Sequence, residues 1–140
     1  MKVILYSNSA CAGFPSPAND YIEGEIDLNK YLIKNPPATF IVRSQGESML
    51  KSSIHSGDLL IVDKSIKPKN NSIVIASING DLTVKRIKIL NKRFLLISDN
   101  KNYPDIKVNT EDDFSIWGVV TNVIHNVFLR QKKNIFFSRL

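Results

Sequence analysis

Six short runs of apolar and β-branched residues, separated by segments rich in Gly, Pro, Asn and Asp, constrain the fold most. Runs of this length and composition are typical of β-strands. Asn79-Gly80, between the third and fourth runs, is typical of a type I′ hairpin turn. The pattern predicts a mostly β protein with partly closed, twisted or sandwich-like sheets. The predicted strands are Thr39–Arg43, Leu59–Asp63, Ile73–Ile78, Leu82–Ile89, Phe94–Ser98 and Trp117–Val127.

The chain before the first predicted strand contains one helix signal. Asp27 is a suitable N-cap, Leu28, Tyr31 and Leu32 follow at helical spacing, and Pro36-Pro37 ends the segment. Residues 7–20 are rich in Ser, Ala, Pro and Asn without apolar periodicity, so we predict an extended, mobile N-terminal arm over residues 1–20.

The sequence predicts a single β domain over residues 21–127, followed by a tail over residues 128–140. The tail mixes basic and apolar residues. A short amphipathic helix that docks on the domain or on a partner fits this pattern, and so does ordinary core packing.

Length, thiol content and hydropathy exclude several protein classes. A chain of 140 residues buries enough surface to fold without disulfides, and its single Cys11 forms no internal one, so a cytoplasmic protein is expected. The apolar run near the N-terminus is too short for a signal peptide, and no stretch is long enough for a membrane helix. His55 and His125 are far apart in sequence without an acidic or Cys partner at ligand spacing, so we expect no metal and no cofactor.

The net charge of +6 is concentrated in the second part of the chain. Residues 1–60 carry a net charge of −1 and residues 61–140 carry +7. A basic surface of this kind could bind nucleic acid or an acidic protein, but a solvated surface is the commoner explanation of scattered lysines. No nucleic-acid recognition motif accompanies the charge, so direct DNA binding stays open.

Ser48 and Lys85 are the residues with a setting suited to chemistry. Ser48 follows a predicted strand at the Gly46 turn, where a side chain is left exposed at a sheet edge; a serine after glycine is also an ordinary turn residue. Strand alternation places Lys85 on the same face as Ile87 and Ile89. A lysine on an apolar face either extends its amine past the core edge or is desolvated, and a neutral lysine amine can serve as general base to a serine.

Six segments in one register, from about residue 11 to residue 127, resemble the UmuD branch of the LexA-type self-cleaving Ser/Lys peptidases. They are Gly13–Ala18 (GFPSPA), Ile26–Asn29 (IDLN), Gly46–Met49 (GESM), Gly57–Asp63 (GDLLIVD), Gly80–Lys85 (GDLTVK) and Trp117–Val120 (WGVV). The resemblance implies a LexA/UmuD-like peptidase fold, a homodimer, and an N-terminal arm that is cut by the protein itself or by its partner subunit.

The resemblance also implies residue roles. Ser48 would be the nucleophile, Lys85 its general base, and Ala12-Gly13 the scissile bond. Small residues at that bond suit an arm that threads into a narrow cleft. Cys11 is expected to be a bystander and His55 a surface residue without a role in the mechanism.

The cellular role implied by the resemblance is in the response to DNA damage. A recombinase filament on single-stranded DNA would promote self-cleavage, and the product would serve a Y-family translesion polymerase as accessory subunit. A repressor is not expected, because only 12 residues precede the predicted cut. Two alternatives remain: a non-enzymatic β-domain that binds nucleic acid or an acidic partner through its basic second half, and a signal-peptidase relative with the same Ser/Lys chemistry.

Overall fold

A computed structural model of the chain describes residues 1–7 and 21–128. Contacts divide the chain into two units, with the division between Lys34 and Asn35. The mostly β fold predicted from the sequence is confirmed.

The first unit contains two antiparallel strands and a short helix. Strand β1 (Lys2–Tyr6) pairs with β2 (Ile22–Asp27), and helix α1 (Leu28–Leu32) follows β2 directly. The Asp27 carboxylate accepts hydrogen bonds from the backbone N–H groups of the first helical turn, at 3.1 and 3.4 Å. Asp27 is therefore the N-cap of α1, as its position before an apolar-periodic segment predicts.

Strands β1 and β2 were not predicted. The apolar run of β1 has the composition of a strand but is only four residues long, whereas β2 is acidic and contains Gly24 at φ +144°. The antiparallel pairing of the two segments makes both of them strands. Within the predicted arm over residues 1–20, Lys2–Tyr6 is thus a paired strand, while residues 8–20 lie outside the described residues. Phe128 is the one residue of the predicted tail that is described.

The second unit is built on a seven-stranded sheet in which all neighbouring strands are antiparallel. The strand order is β3-β4-β9-β5-β6-β7-β8. The strands are β3 (Thr39–Arg43), β4 (Leu59–Asp63), β5 (Ile73–Ile78), β6 (Asp81–Leu90), β7 (Arg93–Ile97), β8 (Ile106–Lys107) and β9 (Phe114–Ile124).

The predicted strands agree with β3 to β7 to within one residue at each end. The last prediction, Trp117–Val127, is displaced from β9 by three residues at each end. Phe114 and Ile116 pack on the core and extend β9 toward its N-terminus, and the chain leaves the sheet at His125. Strand β8 has two residues, too few to leave a sequence pattern.

Both hairpin turns around β6 have positive φ at their two central residues. Asn79 and Gly80 have φ values of 49° and 85°, which confirms the predicted type I′ turn. Asn91 and Lys92, between β6 and β7, have φ values of 46° and 66°. This second turn was not predicted, because lysine seldom adopts the left-handed region of backbone conformation.

Two clusters of buried side chains form the core of the sheet. Met49 and Ile54, from the segment between β3 and β4, pack with Leu60, Val62 and Ile75. The second cluster comprises Val74, Ala76, Ile87, Leu96 and Val119. Because successive residues of β5 belong to different clusters, the strand contributes side chains to both faces of the sheet. No helix among the described residues is long and apolar enough to span a membrane.

Candidate active site

Ser48 lies in the turn that follows β3. Gly46 has φ +80°, a conformation that glycine adopts without strain. The Glu47 carbonyl accepts hydrogen bonds from the Leu50 N–H at 3.2 Å and from Asn100 Nδ2 at 2.7 Å. Ser48 is 8% exposed. Hydrogen bonds therefore fix the turn around Ser48. The Ser48 side chain is buried rather than exposed to open solvent.

Lys85 lies in the middle of β6, opposite Val74 of β5. It is 7% exposed, and Ile87, two residues along on the same face of the strand, is fully buried. The alternation-based prediction that Lys85 occupies an apolar face is therefore confirmed. A charged ammonium is costly to bury without a partner anion.

The structure brings Ser48 and Lys85 together. Lys85 Nζ lies 2.9 Å from Ser48 Oγ, 3.0 Å from Thr83 Oγ1 and 3.1 Å from the Val84 carbonyl oxygen. A neutral amine has two N–H donors and one lone pair. Donation to Thr83 and Val84 would leave that lone pair facing the Ser48 hydroxyl.

The electrostatics around Lys85 favour the neutral amine. Burial lowers the pKa of Lys85 below its ordinary value, because desolvation penalises the charged form. Within the described part of the chain, no carboxylate lies within ion-pair distance of the amine to offset this effect. A lysine with these surroundings can accept a proton from a hydroxyl at a pH where a surface lysine cannot.

A cavity of about 440 Å³ opens beside the pair. Its walls include Ser48 and Lys85 together with residues of β3, β5 and β6. It is lined by Val42, Arg43, Ser44, Gln45, Gly46, Ser48, Leu60, Ile75, Leu82, Thr83, Val84, Lys85 and Tyr103. A cleft of this size, lined by both apolar and polar side chains, has room for a short extended peptide segment.

A charged network that the sequence analysis missed links the Ser48 turn to β6. Arg86, adjacent to Lys85, donates to Asp99 Oδ2 at 3.1 Å from Nε and 3.0 Å from a terminal nitrogen. Arg86 also donates to Ser52 Oγ at 2.8 Å, and Ser52 donates to the same carboxylate. Asp99 further accepts the Lys51 N–H through its backbone carbonyl at 2.8 Å. No local pattern could reveal these contacts, because the residues come from three separate segments.

The interpretation that His55 and His125 have no acidic partner at ligand spacing was wrong. His55 and His125 stack with ring centroids 4.7 Å apart, and both approach the buried carboxylate of Asp58. The signal that could have found part of this cluster is the spacing of His55 and Asp58, which are three residues apart. Among the described residues, His55, Asp58 and His125 form the group whose side-chain atoms lie close enough together to hold a metal ion.

The predicted scissile bond, Ala12-Gly13, and Cys11 beside it lie outside the described residues. Their roles stay predictions. Ser48 and Lys85 lie within hydrogen-bond distance of each other, and their catalytic roles stay predictions.

Comparison with known proteins shows the family to which the chain belongs. The Peptidase S24-like family model matches residues 4–121. Protein SamA of Salmonella typhimurium is 48% identical over 121 residues, which cover 86% of this chain and 84% of SamA. Protein MucA of Escherichia coli is 41% identical over 92% of this chain and 90% of MucA. The LexA repressor of Idiomarina loihiensis is 36% identical over 82% of this chain and 56% of the repressor. The chain therefore belongs to the Peptidase S24-like family, as a UmuD-like member.

Proposed function

We propose that the protein is a self-cleaving serine peptidase in which Ser48 is the nucleophile and Lys85 the general base. One observation carries the proposal: the buried Lys85 amine, with its lowered pKa, lies 2.9 Å from the Ser48 hydroxyl. Membership in a peptidase family supports the reaction class. The proposed substrate is the Ala12-Gly13 bond of this chain or of a second copy in a homodimer.

The reaction begins when the neutral Lys85 amine takes the Ser48 proton as Oγ attacks the Ala12 carbonyl carbon. The resulting oxyanion needs hydrogen-bond donors. The Ser48 backbone N–H is suited to this task, because it donates to no acceptor among the described residues. The Lys85 ammonium then protonates the Gly13 amide nitrogen, the C–N bond breaks, and an acyl-enzyme remains. Water, deprotonated by the same amine, hydrolyses the ester and releases Ser48.

The experiment is incubation of the purified chain at alkaline pH, or with a recombinase, nucleotide and single-stranded DNA. Mass spectrometry should show a fragment that starts at Gly13. Ser48→Ala and Lys85→Met should stay intact. Ser115→Ala and Lys88→Ala are matched controls, since they remove a serine and a lysine elsewhere in the sheet, and both should cleave like the wild type. An intact wild type, or cleavage by either site variant, would contradict the mechanism.

In the cell, we propose that cleavage follows DNA damage and that the product is the accessory subunit of an error-prone translesion polymerase in the cytoplasm. Similarity to SamA and MucA, and to the LexA repressor, supports a role in damage-induced mutagenesis. The test measures the frequency of damage-induced mutation in a strain from which the chromosomal gene is deleted. A plasmid supplies either the wild-type protein or the Ser48→Ala variant. A fragment comprising residues 13–140 should restore damage-induced mutation even with Ser48→Ala, because it needs no cleavage. Mutation that is equally frequent with Ser48→Ala and with the wild type would refute a role for cleavage.

A further inference from the structure

His55, Asp58 and His125 form a compact cluster that the proposed peptidase mechanism does not use. One nitrogen of each histidine and one carboxylate oxygen of Asp58 all lie within 4.8 Å of one another. The Asp58 side chain is 3% exposed, while those of His55 and His125 are 31% and 29% exposed. A buried carboxylate therefore faces two imidazoles that solvent can still reach.

The fold brings these residues together in two steps. A tight turn with Gly57 at φ +91° separates His55 from Asp58, and the Asp58 N–H donates to the His55 carbonyl at 3.1 Å. Strand β4 then pairs with β9 in a register that sets Leu59 opposite Ile124. The next residues outward in this antiparallel pair are Asp58 and His125, so the register places them side by side.

The carboxylate is oriented before any ligand arrives. Asp58 Oδ2 accepts the His55 backbone N–H at 2.8 Å, and Oδ1 lies 2.6 Å from His125 Nδ1. Burial raises the pKa of Asp58, but the hydrogen bonds from the His55 backbone and the His125 side chain, together with the charges of both histidines, hold it below the ordinary value. Asp58 is therefore an anion at neutral pH, with its geometry set by the surrounding backbone.

One atom of the cluster lacks a hydrogen bond. His55 Nδ1 is buried and has no hydrogen-bond partner among the described residues, with Asp58 Oδ2 3.7 Å away. A buried polar atom left without a partner costs free energy unless something satisfies it. A ligand that accepts electron pairs from both imidazoles and from the carboxylate would satisfy His55 Nδ1 and keep Asp58 paired.

We infer that His55, Asp58 and His125 bind a divalent transition-metal ion of the zinc class. Imidazole nitrogen and carboxylate oxygen are the donors such ions prefer, and three protein ligands leave one position for water. Ligands at about 2.0 to 2.1 Å in tetrahedral geometry are about 3.3 Å apart. His125 Nδ1 lies 2.6 Å from Asp58 Oδ1, and His55 Nδ1 lies 3.7 Å from Asp58 Oδ2. One ligand atom from each of the three residues lies within 4.8 Å of the others, so the side chains must draw together by about 1.5 Å at most to reach this spacing. The metal takes the place of the proton that His125 and Asp58 share, and this proton passes to solvent.

The ion would join the segment before β4 to the end of β9. The same segment borders the cavity beside Ser48: the Ser44 N–H donates to the Asp58 carbonyl and the Gly57 N–H to the Ser44 carbonyl, each at 2.8 Å. Since a ligand bound to the folded state alone stabilises it, zinc should raise the unfolding midpoint.

The test uses the full chain with Ser48→Ala, which keeps it uncut, and Cys11→Ser, which removes its one thiol. Zinc affinity is measured by competition with a chromogenic chelator, and cobalt(II) substitutes for zinc to give visible absorption bands of a tetrahedral site. We expect one saturable equivalent of zinc per chain. His55→Gln and His125→Gln should each weaken it at least about tenfold, since even loss of a residue that only supports a ligand costs about 10- to 100-fold.

Asp58→Asn keeps an oxygen that can accept the His55 N–H but removes the charge, and should also weaken binding. Asp81→Asn, the same change at an exposed position, is the matched control and should bind like the parent chain. Circular dichroism verifies the fold of each variant, and the two histidine variants decide the result if Asp58→Asn does not fold. Absence of saturable binding, or undiminished binding by both histidine variants, would overturn the inference. Because every chain carries Ser48→Ala, the outcome is independent of the proposed cleavage.

Discussion

The environment of Lys85 determines when the proposed peptidase can act. Its amine is buried, lies 2.9 Å from Ser48 Oγ, and has no carboxylate partner among the described residues. Desolvation lowers its pKa, so the neutral form is reached at a lower pH than for a surface lysine.

We predict that the rate of self-cleavage rises with pH as Lys85 loses its proton. The rate should then level off above the lowered pKa, because further deprotonation adds no active form. Rates of fragment formation measured across neutral to alkaline pH check this. Lys88→Ala should leave the profile unchanged, whereas a rate that falls with rising pH would exclude Lys85 as the base.

Lys85 should also make the stability of the fold depend on pH. Between its lowered folded-state pKa and the unfolded value of 10.5, the unfolded chain binds one more proton than the folded chain. The free energy of unfolding therefore rises with pH in this window. Below the window, the cost of burying the charged Lys85 amine is present in full. We predict that Lys85→Met flattens this slope in denaturant unfolding measured on a Ser48→Ala background. An unchanged slope would mean that the pKa of Lys85 is the same in both states.

Strand β6 positions the site through residues on both of its faces. Lys85 points toward Ser48, while Arg86, its neighbour on the other face, holds Asp99 and Ser52. The strand and the segment after Ser48 are thus joined independently of the reacting pair. Arg86 acts as a positioning residue in this arrangement.

We predict that Arg86→Ala reduces stability by about 1 to 3 kcal/mol, because Asp99 loses the donors that compensate its partial burial. Self-cleavage should slow while its pH profile keeps its shape, since the Lys85 environment is unchanged. Chemical denaturation and cleavage rates measure the two effects. Lys88→Ala, on the same side of β6 as Arg86, is the matched control. A normal cleavage rate in folded Arg86→Ala would contradict the positioning role.

Strand β9 is held close to β4 at Gly118. A Cβ added there would lie 2.7 Å from Val62 Cγ1 and 3.0 Å from the Asp63 carbonyl oxygen. The register of β9 shifts on both sides of this position, against β4 and against β5. A residue without a side chain is therefore required where β9 passes its neighbours.

We predict that Gly118→Ala destabilises the fold by about 1 to 3 kcal/mol, the usual cost of overpacking a well-packed interior. Thermal or denaturant unfolding measures the change. Ser115→Ala, at an exposed position of β9, should alter stability by less than about 0.5 kcal/mol. Equal stability of the two variants would show that β4 moves aside without cost.

At the scale of the whole molecule, the proposed cleavage would separate two paired strands. Ala12-Gly13 lies in the chain between β1 and β2, so a cut there severs the covalent link between them. Strand β1 then belongs to a peptide of 12 residues, and a two-stranded pair held by so few contacts is marginal once its connection is lost.

We predict that the amides of β2 lose hydrogen-exchange protection after cleavage, because residues 1–12 dissociate. Exchange measured by mass spectrometry on uncut Ser48→Ala and on the chain from Gly13 compares the two states. Buried strands such as β4 and β5 serve as the internal control and should be equally protected in both. Unchanged protection of β2 in the shorter chain would contradict the prediction.

The amino-acid sequence alone determined strands β3 to β7, the Asn79-Gly80 turn and the Asp27 helix cap. Each depends on residues that are neighbours in the chain: alternation, β-branching, tolerance of positive φ, and a side-chain acceptor before the first helical turn. Alternation also placed Lys85 on an apolar face of its strand, while the structure shows that its amine is buried. Its pairing with Ser48 was expected through the resemblance to a family rather than through any local pattern.

Only the tertiary structure decided which distant residues meet. Ser48 and Lys85 are 37 residues apart, and Asp58 and His125 are 67 apart. The first pair depends on how the turn after β3 is anchored by Asn100, and the second on the register between β4 and β9. Register and anchoring arise from packing summed over whole strands, and a shift of one residue would turn these side chains away from each other. No local feature of the sequence contains that information.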